Sequence, residues 1–218
     1  LIKYLEKNQL GDLPHIKPIV IPDSNETMFL DAVTQSNLEL VYPPDKNRKN
    51  TTLFDVLDNT STSMGGRILK DWILSPLIKS RQIKQRTDAV EEFKNRKVER
   101  KILIGYLSNV KDLERIQSRI GLQRSNARDL RSLADSIVFF PQIDTALESF
   151  KSKEINKITS DWDSLEDIER LISSSLKEEL PVSIKDGDIF ADGVNKEVDE
   201  LRKITKDGES WLKEYEAK

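Results

Sequence analysis

The chain has 218 residues, 37% of them hydrophobic and 33% charged, with a formal net charge of -3. Cysteine is absent, which excludes disulfides, thiolate zinc sites and thiol catalysis, and the slightly acidic balance gives no bulk electrostatic drive toward tight, sequence-independent nucleic-acid binding. That composition suits long helices with thin apolar stripes better than one thick core, and no apolar run approaches the ~20 residues of a membrane-spanning helix.

The chain opens inside LIKYLEKNQL, an amphipathic helical pattern with no cap before it. Residues 11–30 hold Pro14, Pro18 and Pro22. Proline lacks a backbone donor and restricts its predecessor, so one or two short extended strips are expected there, the last around MFL. Asp31 is placed to cap a short helix running to about Leu38. Pro43-Pro44 and DKNRKN then form an exposed loop. Thr52 is a predicted N-cap, with Asp55 three residues later in a capping-box relation.

The next helix should run from Ser63 to Leu74, carrying Ile68, Leu69, Trp72 and Ile73 at helical spacing until Pro76 stops it. Ser80 is expected to cap its successor, whose stripe is Ile83, Val90 and Phe93. Further helices are predicted over 97–107, 109–122 and 126–140, with Pro141 breaking the chain before another over 142–151. One more is expected from Ser164 to about Leu180. The pairs Asp186-Gly187 and Asp192-Gly193 predict turns about a short extended strip. A last helix over 194–218 follows a near-heptad course through Val198, Leu201, Gly208, Trp211, Leu212 and Tyr215. At 1.5 Å per residue it reaches roughly 37 Å, the length of a strut. It carries no stop signal, and with both ends in helical pattern the chain reads as a piece of a longer protein. The fold class is all-α: an elongated multi-helix bundle with one or two short extended strips and a long final helix.

Candidate chemistry is sparse. His15 is the only histidine and has neither a cysteine nor a nucleophile elbow to serve. Gly65-Gly66 precedes Arg67, but the phosphate-cradling loop needs Gly, four residues, then Gly-Lys-Ser/Thr after a strand. Inside a helix each glycine costs ~1 kcal/mol against alanine, so close approach of a neighbouring helix or backbone is the better reading. Asp186, Asp188, Asp192 and Glu197 suggest a calcium loop, with Glu197 at position 12. Position 6, which should be glycine, is Ala191, and turn chemistry explains the residues. Lys111, Arg115 and Arg119 share a helical face, with Arg124, Arg128 and Arg131 beyond. This is the best local case for touching a phosphate backbone. Asp112, Glu114 and Asp129 interleave with it, so inter-helix ion pairing is the preferred reading. Trp72, Trp162 and Trp211 lie too far apart for a base-stacking platform and are assigned to packing.

Four blocks carry a family resemblance. MFLDAVTQSNLELVYP holds Leu30, Asp31, Thr34, Asn37, Leu38, Glu39 and Leu40 at the spacing of a signature in the MutS family of DNA mismatch-repair ATPases. TTLFDVLDNTSTSMGGRILKDWILSPL resembles the family's next block through Thr52, Leu53, Leu57, Thr62, Met64, Gly65, Arg67, Leu69, Trp72, Pro76 and Leu77. Asp112, Leu113, Glu114, Arg115, Arg119, Arg128, Asp129 and Leu130 resemble a third, and Asp186, Gly187, Gly193, Asp199, Glu200 and Leu201 a fourth. The blocks keep the family's order over residues 13–218 and look most like its bacterial branch. Gln35-Ser36 departs from the basic residue many relatives carry before the asparagine.

The resemblance implies a core domain over 1–193, like the N-terminal portion of domain III, and from 194 the start of a lever helix leading toward a clamp. It implies mechanical coupling of a mismatch-binding domain and a clamp to a remote ATPase, with no catalysis and no cofactor in this segment. ATP and Mg²⁺ would belong to the parent protein. Expected partners are the other domains of the same chain, mismatched double-stranded DNA, a second MutS-like subunit and a MutL-like protein, in a bacterial cytoplasm near the nucleoid. Asp31, Thr34, Asn37, Gly65, Arg67, Trp72, Pro76, Asp112, Glu114, Arg115, Arg119 and Asp129 become packing and capping positions. Two rivals remain: a stand-alone nucleic-acid-binding module using the face around 111–131, and a generic helical adaptor for a partner protein.

Overall fold

Side chains able to accept from free helix-end amides divide this chain into its elements. The computed structural model describes residues 26–43, 45, 51–181 and 184–216. Among them run α1 (Ala32–Asn37), α2 (Leu53–Leu57), α3 (Ser63–Leu74), α4 (Ser80–Asn95), α5 (Lys97–Leu107), α6 (Leu113–Gly121), α7 (Ala127–Ile137), α8 (Phe140–Glu148), α9 (Lys153–Thr159), α10 (Glu166–Ser175) and α11 (Lys196–Glu216). The fold is all-α. Extended pairing among the described residues is confined to two isolated antiparallel bridges, Thr27 with Leu77 and Leu176 with Phe190. The predicted opening helix, the strip holding Pro14, His15, Pro18 and Pro22, and residues 46–50 of the polar loop lie outside the described residues.

Local chemistry accounts for most boundaries. Thr52 and Asp55 form a reciprocal capping box, and Thr62 caps α3 through the Gly65 amide at 3.0 Å. A second box, Asn126 with Asp129, starts α7. Prediction and structure part at several boundaries. The helix expected over 109–122 begins only at Leu113, because Asp112 takes the N-cap and accepts from the Arg115 amide. Ser80 is the first helical residue of α4, and Lys79, at the cap position, makes no side-chain cap bond. The run expected over 126–140 stops at Ile137 and restarts at Phe140. Pro141 therefore sits in the first turn of α8, where a missing amide costs nothing. The helix expected from Ser164 to Leu180 is confined to Glu166–Ser175, and α9 was not anticipated.

Packing follows the apolar stripes. Ala89, Leu103, Val110, Ile143, Leu147, Phe150 and Ile155 form one buried cluster joining α4, α5, α8 and α9. The rings of Phe93 and Phe150 meet at 4.6 Å, and Phe140 meets Trp162 at 5.6 Å. On the other side α10 packs along α7, with Ile116, Ala134, Ile137 and Leu176 buried nearby. Ser136 of α7 is fully buried. Its hydroxyl accepts the Lys111 amide at 3.0 Å and donates to the Ser132 carbonyl at 2.7 Å, tying the segment before α6 to α7.

One cap comes from far along the chain. Ser152 stands at the N-cap of α9 without making a side-chain cap bond. Instead Glu92 on α4 accepts the Lys151 amide with one carboxylate oxygen and the Ser152 amide with the other, each at 2.8 Å. Burial raises the Glu92 carboxyl, but the two amides and neighbouring Arg96 outweigh it, and the net position is below the ordinary glutamate value. A depressed folded value contributes stability above the ordinary 4.5, lost as pH falls through the lowered one. We expect Glu92→Gln, which offers one acceptor where two are needed, to cut amide-exchange protection at residues 151–155 by about tenfold or more. That magnitude follows from the roughly 1.5–3 kcal/mol of a hydrogen bond to a charged group. Wild-type protection should fall on acidification below 4.5 while the variant's stays flat by comparison, as read by exchange mass spectrometry.

Candidate functional site

The family-like residues gather at helix ends, and Arg67 joins two of their blocks. It projects from the second turn of α3 toward the start of α6. Its Nη1 and Nη2 donate to the two oxygens of Asp112 at 2.9 and 2.7 Å, and its Nε donates to Glu114 at 2.8 Å. Asp112 holds this fork while capping α6, and Arg115 closes on its other oxygen at 3.3 Å. The guanidinium is held above its ordinary range by Asp112 and then Glu114. Hydrogen bonding from Arg67 holds Asp112 below the carboxylate range despite some desolvation. Arg67 lies 45 residues from Asp112, and no local pattern announces that contact.

Other block members close short turns. Asp31 Oδ1 accepts the Val33 and Thr34 amides at 2.9 Å, while Thr34 Oγ1 donates to Oδ2 at 2.8 Å. Asn37 is the last residue of α1, and Glu39 follows with φ 49°, a left-handed turn. The reversal aims the carbonyls of Glu39 and Leu40 at the first amides of α2, Leu53 and Phe54, both at 2.9 Å. Pro76 ends α3 and then pairs: its carbonyl accepts the Met28 amide at 2.8 Å, and the Ile78 amide donates to Glu26 at 3.0 Å. Trp72 lies under the Arg86 guanidinium, 3.7 Å from ring centre to cation. Gly65 and Gly66 face not a neighbouring helix but the preceding turn. A Cβ on Gly65 would sit 3.2 Å from Thr62 Oγ1 and 3.3 Å from Thr60 Cβ.

The basic face is heavily paired. Arg119 lies 2.9 Å from Asp129 and so links α6 to α7. Arg115 engages Asp112 with its side chain 77% exposed. Arg128 spends its guanidinium on the Leu180 carbonyl at 2.8 and 3.1 Å, and Arg131 faces Asp135. Lys111 is exposed. Asp188 pairs with Lys177, and Asp192 with Arg202 at 3.0 Å. No group of three or more His, Cys, Asp or Glu among the described residues is arranged to hold a metal, and no described helix is long and apolar enough to cross a membrane. Charge-assisted bonds thus join α3 to α6 and α6 to α7.

Comparison with known proteins matches residues 33–216 to the family model described as MutS domain III. The chain is 41% identical over 217 residues to the DNA mismatch repair protein MutS of Ruminiclostridium cellulolyticum. It is 40% identical over 220 residues to that of Acetivibrio thermocellus and 38% over 217 to that of Symbiobacterium thermophilum. Each alignment covers 100% of this chain and 25% of the relative, so the chain spans about a quarter of the length of the curated relatives it matches.

Two outcomes follow from the geometry. Arg67→Ala and Asp112→Asn should each lower the calorimetric melting temperature, and the double variant should fall by clearly less than their sum, since asparagine keeps the α6 cap while the shared ion pair is lost once. Strict additivity would remove the coupling. Gly105→Ala, with open space around its Cβ, should stabilise α5 by about 0.4–1 kcal/mol in denaturant unfolding. Gly65→Ala should gain less than that or turn destabilising, because the Thr60–Thr62 turn must yield.

Proposed function

The chain belongs to the MutS family, as its domain III, and from that premise we propose that it transmits rigid-body movement between the mismatch-binding and clamp parts of the whole protein and a remote ATPase. As a segment of a mismatch repair protein it does no chemistry in this reading. ATP and Mg²⁺ act elsewhere in the whole protein. Residues 1–193 serve as the core and 194–218 as the start of a lever. Mismatched duplex DNA, a second MutS-like subunit and a MutL-like protein are its partners through the complete protein, in the cytoplasm near the nucleoid.

The observation that carries this reading is a continuous series of directional contacts through the described residues. Arg67 ties α3 to α6, and Arg119 with Asp129 ties α6 to α7. The Lys111–Ser136 bond reinforces that joint. Next, α7 packs along α10, which runs by the Leu176–Phe190 bridge into the loop before α11. Helices joined by hydrogen bonds and ion pairs move as packed units rather than deforming smoothly. A second reading draws on the 77% and 50% exposure of the Arg115 and Arg119 side chains. It has Lys111, Arg115 and Arg119 touch a phosphate backbone directly. Since both arginines already hold carboxylates, this would trade one partner for another.

Inserting Gly-Gly after Ile204 in the complete protein tests the first reading. Mismatch binding and basal ATP hydrolysis should persist, while stimulation of hydrolysis by mismatched duplex drops several-fold. Undiminished stimulation, or ATP turnover by residues 1–218 alone, would overturn it. The second reading requires Arg115→Gln with Arg119→Gln to flatten the salt dependence of duplex binding.

A further inference from the structure

At the root of α11 one side chain acts on three sides. Residues Ile189–Ala191 form a short extended strip. One edge pairs with the end of α10: the Lys177 amide donates to the Ile189 carbonyl, and the Ala191 amide to Ser175, both at 3.0 Å. Because backbone groups alternate along an extended strip, the Phe190 carbonyl points to the opposite edge. Among the described residues no second strand lies there. Arg202, on the second turn of α11, takes that place: its Nη2 donates to the Phe190 carbonyl at 2.8 Å, and its Nη1 to Asp192 at 3.0 Å.

The same guanidinium stands 3.5 Å from Asp188, which Lys177 also holds, and 3.6 Å from Asp199 one turn back on its own helix. Asp199 in turn accepts the Gly193 amide at 2.8 Å, and Asn195 caps the first turn through the Glu197 amide at 2.9 Å. Gly187 and Gly193, at φ 70° and 87°, give the loop the left-handed corners it needs to wrap this cation. Apolar packing offers less: Leu201 and Ile204 are 58% and 68% exposed, so the stripe beside Arg202 is open. The Arg202 side chain is only 21% exposed.

We propose that Arg202 is the positioning residue that fixes the direction in which α11 leaves the core. It holds the edge of the strip opposite α10 and converts movement of α10 into movement of α11. A planar fork suits the task, since it reaches a carbonyl and a carboxylate together where an ammonium reaches one at a time. The functional weight of this assignment rests on the coupling reading above; the structural part does not.

The test uses the complete protein with nitroxide labels at Gly208→Cys on α11 and Glu148→Cys on α8, both exposed positions, any cysteines elsewhere in the protein being replaced. Spin-echo distance measurement should give one narrow distribution for the otherwise wild-type protein. Arg202→Ala should widen it at least twofold, with Arg202→Lys intermediate. Asp192→Asn, which leaves the Phe190 contact intact, should widen it less, and it serves if Arg202→Ala does not fold. Unchanged widths across these variants overturn the assignment. Stimulation of ATP hydrolysis by mismatched duplex is the second readout. Widening with several-fold weaker stimulation and unchanged basal hydrolysis supports both ideas. Widening with intact stimulation keeps Arg202 as the anchor and sinks the coupling. Lost stimulation at unchanged width sinks the anchor and leaves the coupling.

Discussion

Asp112 answers two demands with one carboxylate. It accepts the Arg115 amide at the start of α6, and it receives the Arg67 fork from α3. Most of the described helices are short, so a large share of their backbone groups lies within one turn of an end, where no intrahelical partner exists. The architecture turns on what satisfies those ends. Where the acceptor is local, as with Thr52, the helix merely starts. Where it also binds a distant cation, or comes from another helix, the cap becomes a joint. Arg67 at Asp112, Arg119 at Asp129 and Glu92 at α9 all follow this pattern.

Such joints suit a chain whose apolar surface is only partly enclosed. The buried cluster about Phe150 and Leu103 holds α4, α5, α8 and α9 together. The first described segments stand otherwise: Phe29 is 89% exposed, and Val33 and Val56 are about as open as each other. Hydrophobic burial is non-directional. Charge-assisted bonds between a planar fork and a carboxylate have a direction as well as a strength. A segment that must hold angles while burying modest apolar area therefore draws its geometry from the latter. The 33% charged fraction is used in part as structural hardware.

What could be read from the sequence divides along the same line. The bounds of α3 and α5, the box at Thr52 and the paired Asp-Gly turns are local events, and the types of adjacent residues announce them. The family blocks pointed to the right protein class because their order is specific even where single residues are not. The joints stayed hidden. Arg67 and Asp112 were each singled out, yet nothing in the spacing tied one to the other. Arg128, counted with a basic face, turned out to hold the Leu180 carbonyl. Nothing in the residues around Glu92 or Arg202 sets them apart from other charges on helical surfaces. An ion pair between distant segments depends on where helices cross, and crossing positions are not written in any short window. Periodicity also ran past Ile137 because an apolar stripe continues across a break that only backbone geometry reveals.

The cap on α9 bears on how the chain comes to be folded as it is made. Seven residues are too few to sustain a helix in water, since nucleation fixes three residues for one bond. With the Lys151 and Ser152 amides accepted by Glu92, the start of α9 leans on a segment some sixty positions earlier. Synthesis runs from the N-terminus, so Glu92 leaves the ribosome well before Lys151 does. The acceptor waits for its donors, and the order of translation matches the order in which these two pieces of backbone become able to hold each other.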